Sequence, residues 1–481
     1  MFWRTISTSL FLVFFCATIC AGQAEETLPN PAENLGSITV LDLKTAGQIA
    51  LADNLTIQVA MERVQQAKEK ISQAKALYFP RLDANAGASQ VHLSTNEHDR
   101  QLATARIFDP TASVDKTEDY YQADLTAGWI LFDGFERKFT NEAAQYGSKE
   151  SAYAERNVRR LVLSSVAETF FTAQLALANI EIAKADEQFN IQQLKDAKAR
   201  RRVGTGSLSD EYNFQIRVNS ARTQRLRDEA DFQSIMYGLA ALLGVPGAVF
   251  PDHIQLAELE PETEEEMEKP DVDELIAYAR DYRADIRQGE QSVKRAESEV
   301  GIARARFFPT INVGASLEGD RAGDAHMRGD DFGSYVGVTL NYNLFSGGAD
   351  AARHREAKFA QKEAEKNLED LILQTSSDIR GSVAGLMMVQ KQLELQKANT
   401  DLSQKNRDLV AKEYDAGQGS LVRLNEAQRD LTTAQSRLAL SLVSLHNAWY
   451  GLMAKTGMIE THFSGETEET LKPDDYAATA F

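Results

Sequence analysis

The amino-acid sequence predicts a mainly α-helical protein that also contains a few β-strands, which fit either a membrane barrel or a half-exposed sheet. Three observations predict this fold class: a unit that occurs twice, two long segments without proline, and short segments of alternating apolar and polar residues. Proline is missing between Pro110 and Pro246, and again between Pro309 and Pro473. Because one proline inside a helix costs about 3 kcal/mol or more, these segments can form unusually long helices.

The repeated unit is recognised by three short motifs that recur in the same order. Each motif returns 213 positions later, from 131 to 344, from 204 to 417 and from 237 to 450. The first motif is Leu-Phe-Asp-Gly in one copy and Leu-Phe-Ser-Gly in the other, and the second is Gly-Thr-Gly-Ser-Leu and Gly-Gln-Gly-Ser-Leu. The third motif, Tyr-Gly-Leu, is identical in both copies. The sequence therefore predicts a first repeat over 25–244, an acidic linker over 245–271, a second repeat over 272–457 and a tail over 458–481.

Each repeat is predicted to contain one long helical hairpin, over 135–243 and over 348–456. Apolar residues recur every three or four positions along both segments, which is typical of coiled-coil packing. Gly204 and Gly417 are expected to end the outgoing helices, because glycine readily adopts the left-handed conformation of a helix end. Gly206 and Gly419 belong to the same two turns. Shorter helices are expected over 43–78 and 272–307.

Two β-hairpins are predicted, over 81–132 and over 310–345, each after a proline that stops a helix, Pro80 or Pro309. Their strands alternate apolar and polar residues, which fits a transmembrane barrel or an ordinary half-exposed sheet. Four strands cannot enclose a lumen, so a barrel would require several copies of the chain. Gly134 and Gly347 mark the return from strand to helix, and a long polar stretch, His92–Asp119, is expected to connect the first two strands.

The composition excludes several classes of function. Residues 1–24 have the pattern of a secretory signal peptide, and both cysteines, Cys16 and Cys20, lie inside it. A net charge of −19 argues against nucleic acid as a partner. The seven histidines form no metal-ligand motif, so we expect no metal, no cofactor and no enzymatic activity. Beyond the signal, no transmembrane helix is expected.

Taken together, these motifs make the chain resemble the TolC family of outer-membrane efflux proteins over nearly the whole mature sequence. The resemblance implies a homotrimer in the outer membrane, in which four strands per protomer form a twelve-stranded barrel and the long helices form a periplasmic α-helical barrel. It implies a passive exit duct whose partners are a periplasmic adaptor, an inner-membrane pump and outer-membrane lipid. It also implies an equatorial collar that includes Leu256–Lys269, although we expect the acidic charges there to be solvated.

Two alternatives to the efflux duct stay open. One is the duct of a type I protein secretion system, which has the same architecture. The other is a periplasmic coiled-coil scaffold without a pore, against which the alternating strands speak.

The resemblance further implies a periplasmic gate at the helix tips. Asp210 and Tyr414 occupy the positions that hold the mouth shut in the family. Where relatives have two acids after the second tip, this chain has Arg423 and Glu426, which predicts a mixed collar that pairs with itself.

A basic cluster precedes the first tip and consists of Arg200, Arg201 and Arg202. One interpretation is a solvated cluster that complements the helix dipole, since cations are favoured at helix C-termini. The other is a docking surface for the adaptor.

Overall fold

A computed structural model describes residues 38–464, which are mostly helical. The predicted signal peptide and the end of the predicted tail lie outside the described residues. The helices are α1 Leu43–Asp53, α2 Leu55–Ala76, α3 Thr95–Phe108, α4 Glu136–Arg202, α5 Leu208–Leu242, α6 Glu264–Met267, α7 Val272–Tyr282, α8 Ala284–Ala305, α9 Ala349–Asp415, α10 Leu421–Thr456 and α11 Ile459–Ser464. The strands are β1 Val40–Leu41, β2 Arg81–His92, β3 Thr117–Phe132, β4 Gln255–Leu256, β5 Thr310–Ala322 and β6 Phe332–Asn341.

The helices of the two halves have matching lengths. Helices α1 and α7 have 11 residues each, α2 and α8 have 22, and α4 and α9 have 67. Helix α5 has 35 residues and α10 has 36. At 1.5 Å per residue, α4 and α9 are each about 100 Å long, far longer than the helices of an ordinary globular domain.

Two of the predicted helices are broken rather than continuous. The helix expected over 43–78 is interrupted at Asn54, and the one expected over 272–307 is interrupted at Arg283; both residues have extended backbone conformations. The Asn54 side chain accepts hydrogen bonds from the backbone N–H groups of Thr56 and Ile57, at 2.8 and 3.1 Å. Such a side chain competes with the helix for backbone donors and starts a new helix, which explains the break.

Four of the strands form one antiparallel sheet in the order β2-β3-β5-β6. The register places Leu125 opposite Leu317, so apolar residues of neighbouring strands share one face. The predicted end of the last strand at Phe345 is wrong, because β6 ends at Asn341. Asn341 pairs with Thr310, the first residue of β5, so later residues have no neighbouring strand to bond to.

The polar connection between the first two strands contains a helix. Helix α3 begins after Ser94, whose hydroxyl accepts a hydrogen bond from the backbone N–H of Glu97 at 3.3 Å. None of the α3 residues is buried, and the last two, Ile107 and Phe108, are 76% and 88% exposed. The first hairpin therefore ends in a structured projection that the second hairpin does not have.

The acidic linker is not uniformly solvated, contrary to the expectation. Glu266 is only 4% exposed, and its carboxylate lies 2.6 Å from Nδ1 of His446 on α10. The Lys397 side chain on α9 bonds to Glu262, and Gln174 on α4 donates to the backbone carbonyls of Ala257 and Glu258 at 3.0 and 2.8 Å. The linker is thus tied to three long helices at the middle of their length.

The largest hydrophobic cluster also lies in this middle region, where β1 pairs in parallel with β4 of the linker. Phe170 of α4 and Leu239 of α5 are among its fully buried members. Helix α4 contains a segment long and apolar enough to cross a membrane, the only such helix in residues 38–464, and half of that segment is buried against the rest of the protein. Packing against other helices explains its apolar character.

Candidate functional site

The two long hairpins meet at their tips. A buried cluster there joins α4 and α5 to α9 and α10, and it includes Leu194, Phe214, Val410 and Leu424. The ring of Tyr414 packs edge-on against Phe214, with 6.5 Å between centroids and 69° between planes. This cluster holds the ends of all four helices together within one chain.

Both tips owe their shape to glycine. Gly204 and Gly417 have φ values of 76° and 74°, in the left-handed region that glycine adopts at little cost. After them, the backbone N–H groups of Gly206 and Gly419 donate to the carbonyls of Arg200 and Glu413, at 3.1 and 3.0 Å. A side chain at position 206 or 419 would lie 2.9 Å from backbone nitrogen of the preceding helix, so these positions also need glycine.

Arg200 joins the tip of the first hairpin to the tip of the second. Its Nη2 donates to Oδ1 of Asp415 at 2.8 Å, and its guanidinium lies 4.9 Å from the ring centroid of Tyr414. A second contact of this kind runs in the opposite direction, because Arg407 of α9 lies 5.4 Å from the ring centroid of Phe189 on α4. Sequence reasoning missed Asp415 and Phe189, since nothing local indicates which residue of the other hairpin each arginine reaches.

Tyr414 is half-buried, and its environment favours the protonated form of its hydroxyl. Burial raises the pKa of Tyr414 above its ordinary value, the nearby charge of Asp210 raises it further, and Arg200 opposes both. The protonated hydroxyl is a hydrogen-bond donor. Asp210 therefore lies close enough to act on Tyr414, although its carboxylate makes no hydrogen bond within residues 38–464.

Arg423 and Glu426 do not pair with each other within one chain. Arg423 bonds instead to Glu413 of the preceding helix, with 3.3 Å between Nη1 and Oε2. Glu426 is exposed and makes no ion pair in the described part of the chain. The two residues lie three positions apart on α10, but Glu413 offers Arg423 a carboxylate from the facing helix.

The basic cluster before the first tip is partly neutralised. Arg201 bonds to Glu211 of α5 at 2.7 Å, while Arg200 bonds to Asp415. Arg202 is exposed and has no ion pair or hydrogen-bonded partner for its side chain among residues 38–464. The cluster therefore leaves one free cation at the end of α4.

The junctions between sheet and helices depend on left-handed residues. Gly134 and Gly347 have φ values of 67° and 65°, and Phe135 has 71°, which is unusual for a residue with a side chain. A side chain at position 134 would lie 2.5 Å from the carbonyl oxygen of Ala305, so α8 also demands glycine there. Pro80 and Pro309 lie at the start of β2 and β5, after the helices have ended.

Arg137 is a junction residue that sequence reasoning missed. Its Nε donates to Asp133 Oδ2 at 2.6 Å, and its Nη1 donates to the carbonyl oxygen of Ile130 at 2.7 Å. Its guanidinium also lies 5.1 Å from the ring centroid of Tyr78. The spacing of four between Asp133 and Arg137 at a helix start was the available signal.

The described residues offer no site for a metal. Within residues 38–464, no group of three or more His, Cys, Asp or Glu side chains is arranged to hold an ion. The geometry at the tips is that of a contact between two helical hairpins, made by a buried apolar cluster and the bond between Arg200 and Asp415.

A family model described as outer membrane efflux protein matches this chain twice, over residues 46–245 and 275–458. The chain belongs to the outer membrane efflux protein family. The family places this protein in the outer membrane, with the helical part extending into the periplasm. Members of this family are channel proteins, and the chain functions as an outer-membrane efflux channel.

Individual relatives agree with this assignment. The probable outer membrane lipoprotein SilC of Salmonella typhimurium is 24% identical over 395 residues, which cover 81% of this chain and 80% of SilC. The pyoverdine export outer membrane protein OpmQ of Pseudomonas aeruginosa is 24% identical, covering 86% of this chain and 85% of OpmQ. The alkaline protease secretion protein AprF of the same species is 23% identical, covering 87% and 85%.

Among solved structures, the outer membrane protein VceC of Vibrio cholerae has the same fold. Its TM-score is 0.68 at 19% identity, and the match covers 86% of this chain and 96% of VceC. An efflux protein fold of this kind accounts for the long helices and the small sheet in one chain.

Proposed function

We propose that this efflux protein is the exit duct of a tripartite system. It receives substrates from a periplasmic adaptor and an inner-membrane pump, and conducts them passively across the periplasm and the outer membrane. The observation that carries this proposal is the connection of two 67-residue helices, α4 and α9, to a four-stranded sheet with an apolar face. The duct needs no catalytic group, because the pump supplies the energy.

We propose that the duct is a homotrimer with a twelve-stranded barrel. The sheet of one chain has two unpaired edges, β2 and β6, and four strands cannot enclose a lumen. Pairing β6 of one copy with β2 of the next removes both edges. Three copies then give twelve strands, enough to surround a channel.

The long helices provide a second argument for the trimer. Four large apolar residues of α9 are exposed at a spacing of seven: Met388, Leu395, Leu402 and Leu409, at 60%, 66%, 63% and 57%. The residues 213 positions earlier on α4 include Leu175, Ile182 and Phe189, and these are partly covered. We infer that the two halves are copies of one unit, and that a neighbouring chain covers the α9 stripe.

The apolar face of the sheet is assigned to outer-membrane lipid. Val336, Val338 and Leu340 alternate along β6 and are 76%, 69% and 63% exposed in one chain. Alternation of exposed apolar residues with polar ones is typical of barrel strands that face lipid on one side. The linker, including Leu256–Lys269, would form the equatorial collar of the assembly.

We assign the gate to the helix tips. Tyr414 and Arg200 hold the two hairpins of one chain together, Asp210 lies close to Tyr414, and Arg423 and Glu426 line the mouth. The adaptor is expected to dock on the tip turns around Gly204 and Gly417. Opening would then require the tips to separate, which exposes part of the buried cluster around Phe214.

A planar-bilayer recording tests the duct against a scaffold without a pore. Purified protein should insert and produce discrete conductance steps, and a heat-denatured sample serves as control. A complete lack of conductance from folded trimers would overturn the proposal.

A second candidate function is the duct of a type I protein secretion system, which the name of the relative AprF favours. Deletion of the gene separates the two functions. Loss of small-molecule efflux with normal protein export supports the first, and the opposite result supports the second.

A further inference from the structure

Two arginines near the end of α4 differ in how they are paired within one chain. Arg200, near the end of α4, bonds to Asp415 at the end of α9, at 2.8 Å. Arg202 lies two residues further along α4, is exposed, and has no partner for its side chain within residues 38–464. A free cation therefore remains beside a satisfied one.

The spacing of the repeated motifs identifies a partner for Arg202. At a spacing of 213, position 200 corresponds to 413 and position 415 corresponds to 202. The counterpart of the Arg200–Asp415 bond is thus a bond between Glu413 and Arg202, with the charges exchanged. In one chain these two residues do not bond to each other. Glu413 uses Oε2 for Arg423, at 3.3 Å, which leaves Oε1 available.

A hydrogen bond between α5 and α10 near the tips also has a counterpart at the positions 213 residues away, and the two side chains there can bond to each other. The side chain of Asn425 on α10 donates to Oδ1 of Asn213 on α5 at 3.1 Å. The corresponding positions are 212 and 426, which hold Tyr212 and Glu426. A phenol can donate to a carboxylate, and both residues are exposed in one chain, Tyr212 by 61%.

We propose that Glu413 of one copy bonds to Arg202 of a neighbouring copy, and that Glu426 accepts a hydrogen bond from Tyr212 across the same interface. The contact between copies thereby repeats the contact between the two halves of one chain. Around the mouth, the bond between Arg200 and Asp415 within each chain alternates with the bond between Glu413 and Arg202 of neighbouring chains. Arg202 then belongs to the gate and not to an adaptor-binding surface. This inference rests on the proposed trimer.

Chemical cross-linking tests the contact, because the mature chain contains no cysteine. The double variant Glu413→Cys/Arg202→Cys, treated with a short thiol-reactive linker, should give covalent dimers and trimers. The matched control, Arg200→Cys/Asp415→Cys, should be linked within each chain and keep the mass of a monomer. Denaturing gel electrophoresis of both variants detects the covalent links, and native mass spectrometry detects whether the trimer assembles.

The outcomes separate the inference from the proposal on which it rests. Intact trimers without cross-links at 413 and 202 would overturn the inference and leave the duct standing. If no trimers form even in the unmodified protein, the proposed trimer itself fails.

A charge exchange tests the function of the contact. Arg202→Glu and Glu413→Arg should each shift the closing equilibrium towards the open channel by roughly three- to 150-fold, the range for losing an exposed ion pair in each of three copies, and so raise the conductance at rest. The double variant should return part of the way to the original conductance, because it restores the pair between 413 and 202 but not the bond between Glu413 and Arg423. Reduced adaptor binding by Arg202→Glu, without rescue by Glu413→Arg, would instead assign Arg202 to adaptor docking.

Discussion

At the scale of single residues, Arg200 is the side chain that spans the two hairpins. It combines an ion pair to Asp415 with a cation–π contact to Tyr414. Exposed ion pairs and cation–π contacts each contribute about 0.5–1 kcal/mol, so neither alone would hold a gate. In the proposed trimer, their repetition in three copies would make the closed state cooperative.

We expect Arg200→Ala to open the gate partially. Losing both contacts weakens the closed state by about 1 kcal/mol per chain, which corresponds to a fivefold change in the closing equilibrium of each chain. Single-channel recordings should show higher conductance at rest. Arg227→Ala, which removes an exposed arginine on α5 without an ion pair in the described chain, should leave the conductance unchanged.

The pair of His446 and Glu266 is a residue-scale feature that makes stability depend on pH. Burial lowers the pKa of His446, but the hydrogen bond and charge of Glu266 outweigh it and leave the pKa raised. Burial also acts on Glu266 and would raise its pKa, yet the bonds from His446 and Thr263 leave it lowered. Both pKa shifts therefore favour the charged form of each group in the folded protein.

The raised pKa of His446 and the lowered pKa of Glu266 define the pH range in which the pair stabilises the fold. The contribution of His446 is complete below its ordinary pKa of 6.5 and is lost as pH rises through its raised value. The contribution of Glu266 is complete above its ordinary pKa of 4.5 and is lost as pH falls through its lowered value. Stability from this pair is thus greatest between these two ordinary values.

We expect the midpoint temperature of thermal unfolding to decrease when the pH is raised from 6 to 9. The variant His446→Gln should show a smaller decrease. Removing one partner of a buried ion pair costs about 3–5 kcal/mol, so the variant should also be less stable at pH 6. Circular dichroism at 222 nm measures both effects. An unchanged slope in the variant would contradict the role given to this pair.

At the scale of elements, the junctions from strand to helix are set by backbone conformation. Gly134 and Gly347 follow corresponding strands and have nearly the same positive φ, but only Gly134 lies against α8. A side chain at position 134 would cause both backbone strain and a steric clash, whereas a side chain at position 347 would cause backbone strain alone. The two positions therefore allow the two costs to be separated.

We expect Gly134→Ala to be more destabilising than Gly347→Ala. Alanine in the left-handed region costs about 1–2 kcal/mol at either position. At position 134 the added carbon would also lie 2.5 Å from the Ala305 oxygen and 2.7 Å from Cβ of Phe308, so α8 must move. Thermal unfolding of the two variants compares these costs, and equal losses would show that the clash is relieved cheaply.

At the scale of the whole molecule, the arrangement of helices points to the contact between copies. Helix α10 packs between α4 and α9 of its own chain, whereas α9 leaves its apolar stripe uncovered. Burying a leucine contributes about 1.5–3 kcal/mol, so three copies of this stripe would account for much of the assembly energy.

We expect Leu395→Glu to prevent the chain from forming trimers, because it places a charge in the centre of the stripe. Leu440→Glu is the matched control: this leucine of α10 is 52% exposed, against 66% for Leu395, but its helix is covered on both sides within one chain. Size-exclusion chromatography with light scattering in detergent distinguishes trimer from monomer. Trimers of Leu395→Glu would exclude the stripe from the interface.

Sequence patterns alone predicted the helices and strands with little error. The proline-free segments, the glycines at the tips and the alternation in the strands are local signals, and local periodicity controls which regular structure a segment can adopt. The errors at Asn54 and Phe345 arose where a side-chain cap or a missing neighbouring strand overrode the pattern.

Sequence patterns therefore determine the inventory of long helices, short strands and turns, and the chain has no cysteine after Cys20. Which side chains meet depends instead on how the helices pack: Arg200 with Asp415, Arg423 with Glu413, and His446 with Glu266. The reason is the distance along the sequence that separates the interacting residues. Helix periodicity is set by residues three and four positions apart, whereas Arg200 and Asp415 are 215 positions apart, and their meeting depends on how two long helices align along their whole length.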